Sequence, residues 1–297
     1  MRVFLTGATG FIGSAIADEL TRAGHRVLGL ARSDAAAAAL ARQGVEAHRG
    51  DLSDPESLAA GVRACDGVIH TAFDHDFSRY QANCEADRQV IEALGSVLVG
   101  SARPFVVSAG IGALTPGRAA TENDAPLPSA VIPRNASEEA AAAAAARGVR
   151  VSVVRLPQVH DTRKQGLVSL LIEVARAKRV SAFVGDGANR WPAIHVRDAA
   201  PLYRLALERA APSARYHAVA EEGVALREIA GVIGRRLKIP VVGKSPAEAA
   251  EHFGWFGAFA GLDSPASSAQ TQAQLGWKPT QPGMLADLER APALAAP

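Results

Sequence analysis

Only two cysteines, Cys65 and Cys84, occur in 297 residues, too few and too far apart for a disulfide framework or a C-x-x-C redox or zinc pattern. They read as reduced thiols, and no metal site is expected. An excess of one charge is missing too: 32 Lys and Arg stand against 30 Asp and Glu, spread along the chain, for a net charge of +2. Nucleic-acid binders leave a clustered basic footprint, so no nucleic-acid partner is expected and the partners read as small molecules. No apolar run approaches the ~18 residues of a membrane span. The amino-terminal run, residues 3–5, is broken at once by Gly7 and Gly10, unlike a signal peptide. The expected location is the cytoplasm, away from membranes. Disorder is excluded by 48% apolar and 21% charged residues, and a chain of this size buries roughly three quarters of its unfolded surface.

What the sequence does have, in its first half, is alternation. Short, mostly apolar runs at residues 2–5, 27–30, 45–49, 67–71, 104–108 and 149–156 fit strands covered on both faces. Helical patterns fill the gaps at 11–23, 35–43, 82–98 and 136–147, with a further helix starting at Asp54-Pro55 through a cap and an N1 proline. Glycines 24, 44 and 148 follow three of these helices where a C′ residue belongs. Strand-helix alternation predicts a doubly wound parallel α/β sheet over residues 1–156. Beyond Leu156 proline and glycine become frequent, and a second, smaller lobe is expected over 157–297. Its helices are expected at 167–178, 199–209, 226–237 and 246–253, with a loose Ala/Pro tail after Arg290.

Between the first strand and first helix stands Thr6-Gly7-Ala8-Thr9-Gly10-Phe11-Ile12-Gly13, a T-G-x-x-G-x-x-G run. Glycines there permit a tight turn, close approach of backbone to a pyrophosphate and close helix-strand packing, while the helix N-terminus offers unpaired N–H groups and partial positive charge. Thr6, Gly7, Thr9, Gly10, Phe11, Ile12 and Gly13 are therefore candidate cofactor-binding residues; the bland alternative is a glycine loop without a ligand. At the end of the second strand, an acid would take a ribose hydroxyl and a base a 2′-phosphate. Arg32-Ser33 occupies that place, which favours NADP(H) over NAD(H); Arg32 as a solvated residue at a helix start is the alternative. Asp51, in Gly50-Asp51-Leu52 after the third strand, could meet the adenine amino group with Leu52 beside it, or could be a plain turn residue.

Together these residues resemble the extended and atypical branches of the short-chain dehydrogenase/reductase superfamily. The likeness runs the length of the chain and includes Val68-Ile69-His70-Thr71-Ala72, Asn83, Arg155-Leu156-Pro157 and Ile194-His195-Val196-Arg197-Asp198. It implies a Rossmann sheet of seven parallel strands, a C-terminal substrate lobe with segments near 190–220 crossing back, and substrate entry between the lobes. It also implies that Thr71, Ala72 and Phe73 line the ribose-nicotinamide side and that Pro157 abuts the nicotinamide. Catalysis in that superfamily rests on a serine or threonine after the fifth strand and a Tyr-x-x-x-Lys on the fifth helix. Here the hydroxyl position falls on Gly110, with Ser108 two residues earlier as a partial substitute; Arg134 stands at the tyrosine and Glu138 at the lysine. A guanidinium can clamp but gives up no proton, and a glutamate raises rather than lowers a neighbouring acid's pKa.

Three other residues could supply the proton. His75, flanked in Asp74-His75-Asp76, is expected to have its pKa raised by two carboxylates; His160 follows the sixth strand with Asp161 beside it; Tyr80 retains a phenol. Polar loop composition, or packing for Tyr80, accounts for the same residues without catalysis. His195 reads as structural and Asp198 as a helix N-cap. Phe253, Trp255, Phe256 and Phe259 form an aromatic stripe, either core or interface, or the apolar wall of a substrate pocket. The leading functional reading is an NADP(H)-dependent oxidoreductase acting on a carbonyl or other polarised double bond of a small, partly apolar substrate. A cofactor-sensing module that has lost turnover, and lyase, epimerase or isomerase chemistry with a retained cofactor, stay open. The sequence does not set the oligomeric state, a homodimer being one option.

Overall fold

Strands covered on both faces must send alternate residues to two cores, and five of the first six do, the edge strand β3 being the exception. A computed structural model describes residues 1–112, 115, 117–209 and 211–294. Its first half runs β1 (Arg2–Thr6), α1 (Phe11–Arg22), β2 (Arg26–Ala31), α2 (Asp34–Arg42), β3 (Glu46–Arg49), α3 (Pro55–Arg63), β4 (Gly67–His70), α4 (Tyr80–Leu98), β5 (Pro104–Gly110), α5 (Ala136–Ala146) and β6 (Arg150–Leu156). Val3, Leu5, Ile69, Val106 and Val154 pack on one face with Ile16 and Leu20 of α1. Phe4, Val68, Phe105, Val107 and Val151 pack on the other with Leu58, Ile91, Leu94 and Ala140. The Ala-rich α5 fits close to α4 because Ala144 lies against Gly95, where an added Cβ would come within 3.2 Å of it.

The chain continues through β7 (Gln158–His160), α6 (Val168–Lys178), β8 (Ser181–Val184), β9 (Arg190–His195), α7 (Val196–Arg209), β10 (Arg215–His217), β11 (Glu221–Ala225), α8 (Leu226–Leu237), β12 (Val241–Lys244), α9 (Pro246–Phe253), α10 (Gly257–Ala260), α11 (Ala269–Leu275) and α12 (Met284–Arg290). Several of these elements return to the first half, Val159 of β7, Ile194 of β9 and Leu275 of α11 packing in its core. β10 pairs with β6, completing a seven-stranded sheet in the order β10-β6-β5-β4-β1-β2-β3, and Tyr203 and Leu207 of α7 join the core beside α1. All pairings in this sheet are parallel. Strand order reverses between β1 and β4, and ligands of such sheets bind in the crevice beyond the strand ends at that point. The remaining elements enclose a second core of Leu171, Ile172, Trp191, Ile229, Ile233, Phe256 and Leu288, among others.

Two expectations are corrected. The helix expected from residue 199 begins at Val196, so Asp198 lies inside its first turn. Its carboxylate accepts the backbone N–H of Thr280 and Gln281 (3.0 and 2.8 Å) and ties down the carboxy-terminal segment instead of capping. The tail after Arg290 is not loose at its start: residues 292–294 form a 3-10 turn and Ala291 and Leu294 are fully buried. Residues 295–297 of that expected tail lie outside the described residues. Among the described residues no helix is long and apolar enough to cross a membrane.

The largest fully buried side chain is Arg155 on β6. Glu138 of α5 receives it through two hydrogen bonds, Nε to Oε1 at 2.7 Å and Nη2 to Oε2 at 2.9 Å, and His217 stands 3.2 Å from its Nη1. Glu138 is thus a structural counter-ion. Removing one partner of a buried pair strands the other charge, so Glu138→Ala is expected to cost about 3–5 kcal/mol in denaturant unfolding. A loss below about 1 kcal/mol, the range of a surface pair, would show that the guanidinium finds other compensation.

Candidate active site

The glycine run folds into a turn that only glycine fits at two places. Gly7 has φ +72°, and a Cβ there would lie 2.7 Å from the backbone nitrogen of Ala72. A Cβ on Gly13 would lie 2.0 Å from the carbonyl oxygen of Gly7, so helix α1 is pressed directly on the turn. Gly10 differs: its Cβ would meet only the Gly7 oxygen, at 3.1 Å. It opens α1 with extended dihedrals (φ −76°, ψ 170°) and no side-chain cap, and Thr9 and Gly10 are exposed. An uncapped helix N-terminus with an open glycine rim, at the strand-order reversal, fits a dinucleotide pyrophosphate. Phe11 and Ile12 are half-buried behind the rim, and the Lys164 ammonium lies 5.7 Å from the Phe11 ring. Thr6 is fully buried and holds the loop from inside.

At the end of β2, Ser33 caps α2 by accepting the N–H of Ala36 at 3.1 Å, while Arg32 is exposed. Asp51 accepts the N–H and hydroxyl of Ser53 at 2.9 and 2.7 Å. These bonds hold its carboxyl below the usual range, and they spend Oδ1 on its own turn. Leu52 beside it is half-buried.

Behind the other end of the crevice runs a buried chain of polar groups. The Thr6 hydroxyl lies 2.7 Å from His70 Nδ1, His70 Nε2 lies 2.9 Å from Asp87 Oδ1, and Asp87 Oδ2 accepts from Arg134 Nη1 at 2.8 Å. Burial works to raise the Asp87 pKa, but the Arg134 charge and the bonds from His70 and Arg134 outweigh it and hold the carboxyl low. Arg134 also donates from Nη1 to the Ser137 hydroxyl and from Nη2 to the Ser108 carbonyl at 3.2 Å, and its Cζ lies 4.2 Å above the centre of the Phe73 ring. A guanidinium has five N–H donors; these bonds leave the Nε–H and one Nη2–H for a ligand. Thr71, Ala72, Phe73 and Pro157 are half-buried, with the Thr71 hydroxyl donating to the Thr6 carbonyl at 2.8 Å.

The candidate proton donors fare differently. Ser108 is buried; its hydroxyl donates to the His70 carbonyl at 2.8 Å and lies 2.7 Å from the Tyr203 hydroxyl, so it points into the fold. The expected upward shift of His75 is overturned. Desolvation by the surrounding chain, then the charge of Lys164, push its pKa below the ordinary value, and Asp74 opposes them only weakly. The flanking carboxylates serve their own loop instead: Asp74 accepts the N–H of Asp76, and Asp76 the N–H and hydroxyl of Ser78. His160 is fully buried and bonded through Nδ1 to Asp287 at 2.8 Å. Burial outweighs that carboxylate and lowers its pKa; it stands in the fold as a core histidine. Tyr80 opens α4, half-buried, with its phenol pushed up to about 12 by burial. The aromatic stripe divides: Phe253 and Phe256 belong to the second core, while Trp255 is exposed. Asp87 was not found from the sequence, since no local spacing marks a helical aspartate that reaches a strand end and an arginine 47 residues on.

The chain matches the NAD dependent epimerase/dehydratase family over residues 3–219. It is 49% identical to an uncharacterized protein of Schizosaccharomyces pombe over 97% of this chain and 98% of that one. It is 31% identical to a 2-alkyl-3-oxoalkanoate reductase of Stenotrophomonas maltophilia over 72% of this chain and 67% of that one. The fold matches a dTDP-glucose 4,6-dehydratase from Streptomyces venezuelae, solved with NAD bound, with a TM-score of 0.78, 21% identity and coverage of 98% and 95%. It also matches a UDP-glucose 4-epimerase of Thermus thermophilus in complex with NAD, with a TM-score of 0.75, 21% identity and coverage of 99% and 98%.

Gly10 and Gly13 separate binding from folding. Gly10→Ala suits its extended dihedrals and is expected to melt near the native temperature while losing dinucleotide binding in calorimetry, because the new methyl enters the rim. Gly13→Ala is expected to destabilise the fold itself, since its Cβ has no room against Gly7. A folded Gly10→Ala variant with native dinucleotide affinity would put the pyrophosphate elsewhere.

Proposed function

The chain belongs to the NAD dependent epimerase/dehydratase family, and we propose that within it the protein is an NADP(H)-dependent oxidoreductase acting on the carbonyl of a small, partly apolar substrate. One observation carries this reading: a guanidinium, held by Asp87, Ser137 and the Ser108 carbonyl, stands where the resemblance to the wider superfamily implies a proton-donating tyrosine. The glycine rim at Thr9 and Gly10 and the N-terminus of α1 would hold the pyrophosphate, Arg32 a 2′-phosphate, and Thr71 to Phe73 with Pro157 the nicotinamide end. A bound nicotinamide supplies or accepts the hydride.

Arg134 would hold the carbonyl oxygen through its two spare N–H groups. It stabilises the negative charge that grows on that oxygen as hydride reaches the carbon, a role that preorganised donors fill without transferring a proton. Solvent water protonates the oxygen and completes the alcohol. Of the neighbouring rings, His75 is pushed below its ordinary value and so holds a proton less well near neutrality, while the Tyr80 phenol, pushed up to about 12 by burial, gives its proton up reluctantly. Epimerase or dehydratase chemistry would need a base at this position, and a guanidinium is not one. The relative named for reducing a 3-oxoalkanoate lends support to carbonyl chemistry.

Calorimetry in one buffer tests the cofactor, and NADPH consumption across a panel of aldehydes, ketones, imines and enones tests the reaction. A charge-assisted contact from Arg32 to phosphate predicts NADPH binding roughly tenfold or more tighter than NADH, with Arg32→Asp reversing the order. Equal affinities in the native protein would remove the NADP(H) assignment, and no turnover of any carbonyl would remove the reductase.

A further inference from the structure

A set of stacked rings joins the two lobes at the mouth of the crevice. Phe77, in the 3-10 turn Phe77–Arg79, stacks on Trp255 of the second lobe at 5.2 Å between centres and 24° between planes. On the first lobe's side it stacks on Tyr80 at 5.6 Å and 30°. Phe259 meets Phe77 and Tyr80 edge-on at 6.0 and 6.3 Å. The exposed His75 stands edge-on to Phe77 at 6.3 Å and to Phe73 at 5.2 Å, and Phe73 carries the Arg134 guanidinium. The rings therefore lead without a break from solvent to the group proposed to hold the reacting oxygen.

Trp255 is 58% exposed while its chain neighbour Phe256 is 1% exposed. The short turn Gly254–Phe256 is anchored in the second core by one ring and holds the other out over Phe77. An indole so uncovered contributes little to the folding free energy, because most of its apolar area stays in water. Its near-parallel partner comes from the other lobe, so the pair forms a two-faced clamp across the entrance.

We infer that the substrate carries a flat, conjugated ring that enters between Phe77 and Trp255, with its carbonyl directed inward to Arg134. Two near-parallel π faces, with Phe259 edge-on to both, suit a planar aromatic body once they part, because stacked and edge-to-face contacts are the favoured aromatic geometries. A puckered aliphatic ring of equal size meets only part of either face. Entry requires the two planes to separate to about 7–8 Å, two van der Waals spacings, and the exposed side of Trp255 leaves room for that movement. The direction of the carbonyl rests on the proposed carbonyl chemistry; the preference for a flat ring does not.

Two unreactive probes of similar size test the clamp with the full chain: naphthalene-2-carboxamide, which is flat, and decalin-2-carboxamide, which is puckered. Tryptophan emission reports on it, since Trp191 and Trp277, the other two tryptophans, are 2% and 3% exposed. The flat amide is expected to quench that emission and to bind about tenfold more tightly than the puckered one, the gain of two added aromatic contacts. Trp255→Leu is expected to abolish the difference while keeping the melting temperature and NADPH affinity. Equal binding of the two amides, no binding of the flat one, or a preference that survives Trp255→Leu would overturn the inference. So would sedimentation showing a dimer that Trp255→Leu dissociates without any ring selectivity in the native protein. Because neither amide is reduced, failure of the carbonyl reaction leaves this result readable, and a failed clamp leaves NADPH turnover untouched.

Discussion

Asp87 is the side chain on which the geometry of the active site depends. A carboxylate buried to 5% exposure survives only if its charge is paired and hydrogen-bonded. Here one oxygen meets His70 and the other takes the Arg134 guanidinium. The same two bonds tie two parts of the crevice together. Through His70 the carboxylate is tied to the Thr6 hydroxyl and so to the root of the glycine loop. Through Arg134 it sets the cation that stands above Phe73. Glycine loop and guanidinium are thus fixed to one buried charge, in a region where low dielectric strengthens each bond and penalises any loss.

The substitution at the superfamily's catalytic pair becomes intelligible from this anchor. Arg134 and Glu138, which counting along the chain sets against the superfamily's tyrosine and lysine, part company in this fold. Arg134 stays at the cleft, held by Asp87, Ser137 and the Ser108 carbonyl. Glu138 turns to the buried Arg155 and becomes part of the framework under β6. A permanently charged group held by three hydrogen bonds can offer electrostatic stabilisation, not proton transfer.

Much of the fold was legible because its signals are local. Short apolar runs and helical apolar patterns, the Asp54-Pro55 start and the glycines after α1, α2 and α5 each act within a few residues, and the glycine run announces its own turn. The site's electrostatics were not legible in this way. His75 between two aspartates reads as an imidazole raised by carboxylates, yet Asp74 and Asp76 bond to their own loop and the cation of Lys164 reaches the ring from the second lobe. Asp198 misled in the same way, its carboxylate going to backbone at residues 280 and 281 instead of its own helix. Asp87 left no trace in sequence because its partners lie 17 and 47 residues away on other elements. Likewise the stripe of aromatics around Trp255 could not be divided into core and clamp until Phe77, from the other lobe, was placed against it.

The central claim is that Arg134 works by fixed charge. Its most direct test is the turnover of a carbonyl substrate by Arg134→Ala, with and without added guanidinium ion, beside the pH profile of the native enzyme. Loss of one preorganised donor to a developing oxyanion predicts a fall in kcat of roughly 10²–10³-fold, with partial recovery when guanidinium is supplied. Because His75 titrates below its ordinary value and Tyr80 near 12, the account also predicts a native kcat that is level from about pH 7 to 9. An Arg134→Ala enzyme with native kcat, or a native kcat that falls as pH rises through that range, would contradict it.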